Sequence, residues 1–429
     1  MRFVIVGNGV AGITAAFKIR ERDREAAITV ISGESEYFFS RTALMYSFMD
    51  RLSLRDLEPY ERRVYDQQRI ARVGEWVVDL DAGAHVLTLR SGHKVPYDRL
   101  LLATGSSPNR VPWSGLEAAR EGVVHFVSLQ DLERCERLVP STERAIVVGG
   151  GLIGVELVEC LRFHGREVTF LILEPYYWPV ALGGLEAGMI SDHIRRHGVD
   201  LRLEEEVGEV LSDSSGRVTG VRTVKGNEYV GQLLGICIGV HPTIEWLRSV
   251  KTPPRIGRGI QVTPDFRTSL PDVWAAGDCA EIQPNGDHTF VEQIWYSAKR
   301  QGELAARAML GDSVDYRPPI FFNSSKFFEI EYTTVGIVTR APTGAVDFYS
   351  RLPGREVSIR VVEHEGAVIG FNMLGSRWNH NVLEAWIAER RNLDYVMKRL
   401  PEAQFDVEFG QQDLSSVLSD YAAYRRARS

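Results

Sequence analysis

The sequence predicts an α/β chain with two parallel-sheet domains and a smaller α+β domain after them. Three observations predict it. An apolar strand, a glycine turn and a helix open the chain, starting with RFVIVGNGVAG at residues 2–12. The same succession returns at residues 145–164, with Gly149 in the place that Gly7 holds in the first. Beyond Pro318-Pro319 the pattern changes to the alternation of antiparallel strands, followed by helices. Each strand–turn–helix is a unit that can cradle a dinucleotide pyrophosphate, so both parallel-sheet domains are expected to be Rossmann-like dinucleotide-binding domains.

Phe3-Val4-Ile5-Val6 is a short, fully apolar strand, and Gly7, Gly9 and Gly12 follow it as G-x-G-x-x-G. Gly7 allows the tight turn, Gly9 lets the backbone approach phosphates, and Gly12 lets the helix over 13–19 sit close to the strand. The free N–H groups and dipole at the helix start favour a bound anion. Residues 27–32 read as a second strand. Glu34 follows that strand, near the spacing from Gly12 at which an acidic side chain accepts hydrogen bonds from an adenosine ribose. Residues 37–75 are polar, aromatic and arginine-rich with helical patches. A buried strand then stops at the small-residue turn Ala103-Thr104-Gly105. Gly149, Gly151 and Gly154 form the second fingerprint, a helix over 155–164 follows, and then a strand over 167–173. Gly277 and Asp278 follow a strand over 272–275, and residues 291–310 are a long helix.

These elements divide the chain into a discontinuous first domain at 1–113 and 247–314, a second at 114–246, a third at 315–400 and a helical tail at 401–429. The net charge of −7 offers no basic field for nucleic acid, and the basic residues come mostly as isolated pairs. No apolar run reaches the roughly 18–20 residues of a membrane helix, and the glycine-broken N-terminus reads as folded structure, so a cytoplasmic protein is expected. Cys135, Cys160, Cys237 and Cys279 form no C-x-x-C pair, which argues against a metal cluster or a disulfide framework.

Four motifs in order, the two fingerprints, Ala103-Thr104-Gly105 and the stretch TSLPDVWAAGD at 268–278, resemble those of the pyridine-nucleotide disulfide oxidoreductase superfamily, over roughly residues 1–370. The resemblance implies FAD on the first domain, NAD(P)H on the second and a third, interface domain that helps form a homodimer. It implies that Asp278 hydrogen-bonds the flavin ribityl chain while Gly277 permits close backbone approach. Where disulfide reductases of this superfamily carry their redox cysteines, this chain reads Ser40-Arg41-Thr42-Ala43-Leu44-Met45-Tyr46. Arg41-Thr42-Ala43-Leu44 is similar to the R-P-x-L stretch of ferredoxin, rubredoxin and nitrite reductase flavoproteins.

Within that branch Trp295 matches the aromatic at the nicotinamide side of the flavin, and Glu156 the acid that pairs with a flavin-side lysine. The lysine position reads Tyr46, so Tyr46 or Arg41 is expected to supply the replacement. A buried, unpartnered Glu156 would be costly, so it is expected to be hydrogen-bonded or to titrate high. Glu174, just past the strand that follows Gly154, together with the absence of an arginine there, points toward NADH. The resulting expectation is an FAD-dependent NAD(P)H oxidoreductase that passes electrons to a small carrier protein of the ferredoxin or rubredoxin type. Direct reduction of a small-molecule acceptor, as by an NAD(P)H oxidase or quinone reductase, is the enzymatic alternative. A nucleotide-responsive flavoprotein resembling apoptosis-inducing factor is the non-turnover alternative.

Overall fold

The computed structural model describes residues 1–284, 289–352, 354–405, 408 and 412–428. The chain divides into two compact units. The first comprises Met1–Val111, His125–Leu138 and Ile238–Pro318; the second comprises Pro112–Val124, Val139–Cys237 and Pro319–Ser429. The helix Leu129–Leu138, which the linear division put with the second domain, groups with the first unit. The antiparallel C-terminal region shares the second unit with the second glycine fingerprint.

In the first unit the opening strand Arg2–Val6 lies at the centre of a five-stranded parallel sheet. Ala27–Ile31 and then Ile70–Val73 lie to one side; Arg99–Leu102 and then Val273–Ala275 lie to the other. Strands buried on both faces are apolar throughout rather than alternating, and Phe3, Val4, Ile5, Leu100, Leu101 and Leu102 are all buried. The helices Val10–Arg22 and Trp295–Met309 cross closely: a Cβ at Gly302 would stand 2.2 Å from the Ala11 carbonyl oxygen. The last strand and this helix belong to the segment that returns after the second fingerprint domain.

The second unit repeats the design. Arg144–Val148 lies between Glu167–Leu171 and Leu233–Ile236, with Val199–Arg202 and Val123–Val124 at the two edges, all parallel. Arg2 pairs with Ala27 in the first sheet and Arg144 pairs with Glu167 in the second, each opening its ladder, so the register repeats as well. The same unit holds a five-stranded antiparallel sheet in the order Phe322–Phe327, Ile330–Gly336, Ala367–Leu374, Ser358–His364, Val346–Arg351. The helices His380–Ala388, Leu393–Arg399 and Ser415–Arg428 cover it, and Trp386, Val396, Val417 and Tyr421 are buried in its core. Within the tail, expected as a polar helix, Ser415–Arg428 thus contributes to this core. Tyr421 donates to Asp394 at 2.6 Å, and Ser350 donates to Asp420 at 2.6 Å.

No helix among the described residues is long and apolar enough to cross a membrane.

Candidate functional site

Both glycine turns adopt one geometry. Gly7 and Gly149 each have φ of 111°, a conformation that side chains strongly disfavour. A Cβ at Gly7 would also lie 2.0 Å from the Ala103 carbonyl oxygen. One at Gly12 would lie 2.0 Å from the Gly7 carbonyl oxygen, and one at Gly154 would lie 2.1 Å from that of Gly149. These glycines therefore let strand, turn and helix approach one another. Gly9 and Gly151 differ: a Cβ at either meets nothing within 4 Å. Each is the N-cap of its helix, Val10–Arg22 or Leu152–Phe163, and neither cap has a side-chain hydrogen bond. The unmet N–H groups of a helix start thus face open space at both turns, which fits the pyrophosphates of two dinucleotides.

Around the first turn, Ala103 donates its N–H to Val6 at 2.8 Å, Thr104 donates its hydroxyl to the Thr243 carbonyl at 2.9 Å, and Gly105 has φ of 69°. Gly277 has φ of 80°, and a Cβ there would meet that of Ala11 at 2.9 Å. Half-buried Asp278 accepts from the Ser106 hydroxyl at 2.8 Å, and Ser106 accepts from Gln293 at 2.9 Å. Burial pushes the Asp278 carboxyl up, against the pull of Ser106 and Arg41.

Glu34 stands just past its strand, Ala27–Ile31, and is held firmly. Its two carboxylate oxygens accept from Arg41 at 2.8 and 2.7 Å, and one also accepts from the Leu129 N–H at 3.3 Å. A carboxylate offers about four acceptor positions, so one remains. Arg41 also donates to the Val127 carbonyl and lies over the Phe39 ring. Glu174 has the same placement past the end of its strand, Glu167–Leu171, and is half-buried. Ile172 is fully buried beneath the second turn, with its Cδ1 3.2 Å from where a Gly150 Cβ would stand.

Trp295 begins the helix Trp295–Met309 and is half-buried, with the Lys299 ammonium 5.4 Å from its ring centre. The free N–H groups of this helix begin after Ile294, which provides no side-chain cap. Just before it, Glu292 accepts from Ser297, Gln301 and Tyr316 at 3.1, 3.0 and 2.6 Å. Tyr46 is half-buried on the short helix Leu44–Phe48.

Glu156 shares its helix with Glu159, one turn on. Glu159 is buried and pairs with the Lys326 ammonium at 2.5 Å. Burial and the Glu159 charge push the Glu156 carboxyl up to about 7, with Lys326 pulling the other way. The expected high titration of Glu156 is therefore present. Within the same unit, a cation beside this acidic pair is Lys326, a role that the sequence reading did not assign to it. Lys326 is remote from Glu159 in the chain, and no local pattern announces it. The nearest hint is Glu159 itself, a buried charge on a largely apolar helix. Cys135, Cys160, Cys237 and Cys279 are all buried and form no disulfide.

Residues 1–309 match the family described as pyridine nucleotide-disulphide oxidoreductase. The chain is 30% identical over 413 residues to the 5,5'-dehydrodivanillate O-demethylase ferredoxin reductase subunit of Sphingobium sp. strain NBRC 103272 / SYK-6, covering 92% of each chain. It is 26% identical over 330 residues to a rubredoxin-NAD(+) reductase of Pseudomonas putida, covering 76% of this chain and 84% of the relative. Its fold is similar to that in the crystal structure of the covalent putidaredoxin reductase–putidaredoxin complex, with a TM-score of 0.80, 22% identity, and 91% and 93% of the two chains covered. The 92% coverage carries the likeness past residue 370, where the sequence motifs had ended it. With both glycine turns shaped for a dinucleotide and the family matched across more than half its length, the chain belongs to the pyridine nucleotide-disulphide oxidoreductase family and is an FAD-dependent NAD(P)H oxidoreductase.

Proposed function

We propose that the protein carries electrons from NADH through FAD to a small iron–sulfur carrier protein, without a thiol relay. The cysteine-free turn at 40–46 and the burial of all four cysteines support the absence of a thiol relay. A relay thiolate must be exposed to its redox partner. The similarity to ferredoxin and rubredoxin reductases supports the carrier class.

In this reading Gly7, Gly9 and Gly12 hold the FAD pyrophosphate and Ala103, Thr104 and Gly105 wall the same turn. Asp278 and Gly277 take the ribityl chain. When bound, FAD accepts two electrons from the nicotinamide and releases them to the acceptor. Arg41 fixes the Glu34 carboxylate for the adenosine ribose, and its engagement there leaves Tyr46 to line the flavin. Trp295 shields the flavin ring, and the uncapped start of its helix stabilises negative charge on the cofactor.

On the second unit, Gly149, Gly151 and Gly154 hold the NAD(P)H pyrophosphate. Glu174 repeats the placement of Glu34 past its strand and accepts from a ribose hydroxyl, which favours NADH over its 2′-phosphorylated counterpart. Glu156 lies in the second turn of the helix that receives these phosphates. With its carboxyl pushed up to about 7, it is about half protonated at neutral pH and adds less negative charge beside an anionic nucleotide than an ordinary glutamate would. The carrier docks transiently, and the catalytic unit is a homodimer in the cytoplasm.

Anaerobic stopped-flow reduction of the purified yellow protein by NADH and NADPH, followed by a screen of acceptors, tests the reading. Fast reduction by NADH and multiple turnovers with a ferredoxin or rubredoxin are expected. Rapid NADH consumption in air with no carrier present would replace the carrier by dioxygen. Slow reduction with a long-lived nucleotide complex would replace turnover by nucleotide-dependent switching.

A further inference from the structure

The helix Gly184–Arg196 ends against the hairpin that joins Phe322–Phe327 to Ile330–Gly336. Three ligand-bearing side chains meet there, none of which has a place in the two nucleotide sites. His193 Nε2 lies 3.2 Å from Glu329 Oε2, and His197 Nε2 lies 2.9 Å from the same oxygen. The three atoms all fall within 4.8 Å of one another.

The other ring nitrogens decide what these contacts require. His197 Nδ1 is hydrogen-bonded at 3.0 Å to the His193 carbonyl oxygen, which can only accept. His193 Nδ1 stands 2.6 Å from Glu356 Oε2, a carboxylate that also only accepts. Both Nδ1 atoms therefore carry the proton, and in the neutral rings both Nε2 atoms present lone pairs to a carboxylate oxygen. Contacts at these distances call for a shared cation, either protons on the rings or one metal ion. Protons would meet the contacts only pairwise, with the ring centres 4.5 Å apart and buried His193 between the Glu329 and Glu356 carboxylates. One divalent ion satisfies all three groups at once.

We propose that His193, His197 and Glu329 bind a divalent transition-metal ion of the zinc type, with water completing the coordination. Two histidines at i and i+4 on one helix face plus a carboxylate form a three-ligand set suited to zinc. A tetrahedral ion with bonds of roughly 2.0–2.1 Å sets ligand atoms roughly 3.4 Å apart, close to the two contacts already present. The outer partners have the expected character: a carboxylate on one Nδ1 and a backbone carbonyl on the other fix both tautomers. Phe328 stacks on the His197 ring at 4.2 Å and holds its plane. Phe328 also has φ of 54°, unfavourable for a bulky residue, at the turn that presents Glu329. The ion would clasp the end of the helix to the hairpin of the antiparallel sheet.

The test uses the full-length, tag-free, FAD-loaded protein, stripped with EDTA and dialysed, and titrated with zinc chloride by calorimetry at pH 7.5. One equivalent of zinc is expected to bind, and to raise the melting temperature. His197→Ala and Glu329→Gln are each expected to weaken binding by at least ~10-fold. Both side chains reach solvent, and an unchanged flavin spectrum and circular dichroism would confirm folding. No saturable binding by the wild-type protein would overturn the proposal. So would zinc binding that survives both substitutions unchanged, since the ion would then sit on other groups.

Discussion

Gly7 and Gly9 are near neighbours in one turn, and a methyl group added at each has a different cost. At Gly7 the new Cβ meets a backbone oxygen at 2.0 Å in a left-handed conformation, so Gly7→Ala should destabilise the protein by about 2–5 kcal/mol. At Gly9 the Cβ meets no protein atom, so Gly9→Ala should leave the melting temperature of the FAD-free protein within about 1 °C and lower FAD content instead. Thermal melts beside flavin absorbance separate the two effects. Glu156 offers a test with a pH sign. Its folded value near 7 lies above the ordinary 4.5, so between those values the folded state holds a proton that the unfolded chain has released. Stability therefore falls as pH rises through this window, by about 1–3 kcal/mol in all. Glu156→Gln should remove the fall, leaving variant and wild type alike near pH 5 in this term and the variant relatively more stable near pH 8. Melting temperatures across pH 5–8.5 check it. The glycine roles were legible because turn geometry is local and only glycine tolerates it. The hold of Arg41 on Glu34 was not, although the two are close in the chain, because the loop between them follows no period that aims one side chain at the other.

The strand Phe322–Phe327 is tied to the helix Leu152–Phe163 by Lys326 and Glu159. Lys326→Met should cost about 2–4 kcal/mol, because it leaves the buried Glu159 charge unpaired. The double variant Lys326→Met with Glu159→Met should recover much of that loss, and a chemical-denaturation cycle of the four proteins measures the coupling. The parallel strands over 3–6, 27–31, 99–102, 145–148, 167–171 and 273–275 were readable as apolar runs ending at glycine or small-residue turns, whereas Ile70–Val73, Val123–Val124, Val199–Arg202 and Leu233–Ile236 were not marked by such a pattern. The final helix, Ser415–Arg428, was readable as a helix but not as part of a core. Its apolar residues are Val417, Leu418, Tyr421, Tyr424 and three alanines, and only Val417 and Tyr421 are buried. Two anchors on one face are too few to define a stripe, yet enough to seal an open sheet.

Across the whole molecule, the repeated order of strands and the matched registers show one nucleotide-binding plan used twice, and the echo of the first fingerprint in the second made that plan visible. Linear order hid the rest. The first unit draws on three separated segments, and the helix Leu129–Leu138 joins it although it precedes the second fingerprint. Contacts between remote segments leave no periodic trace, so motif spacing could mark where elements start but not which of them pack together.

That discontinuity has a bearing on synthesis. Arg99–Leu102 receives its outer neighbour only from Val273–Ala275, which is made after the whole second fingerprint domain. At about 5–20 residues per second the ribosome takes roughly 10–35 s to make the intervening chain. During that interval the apolar edge of Leu100, Leu101 and Leu102 has no strand beside it, and such an edge invites pairing with other chains. A chain stopped at residue 240 should therefore aggregate, and addition of FAD should not rescue it. A chain stopped at residue 318 holds every segment of the first unit and should stay soluble far longer. Centrifugation of ribosome-released nascent chains of the two lengths distinguishes them. The nascent protein would thus depend on chaperone cover until its returning strand and helix emerge.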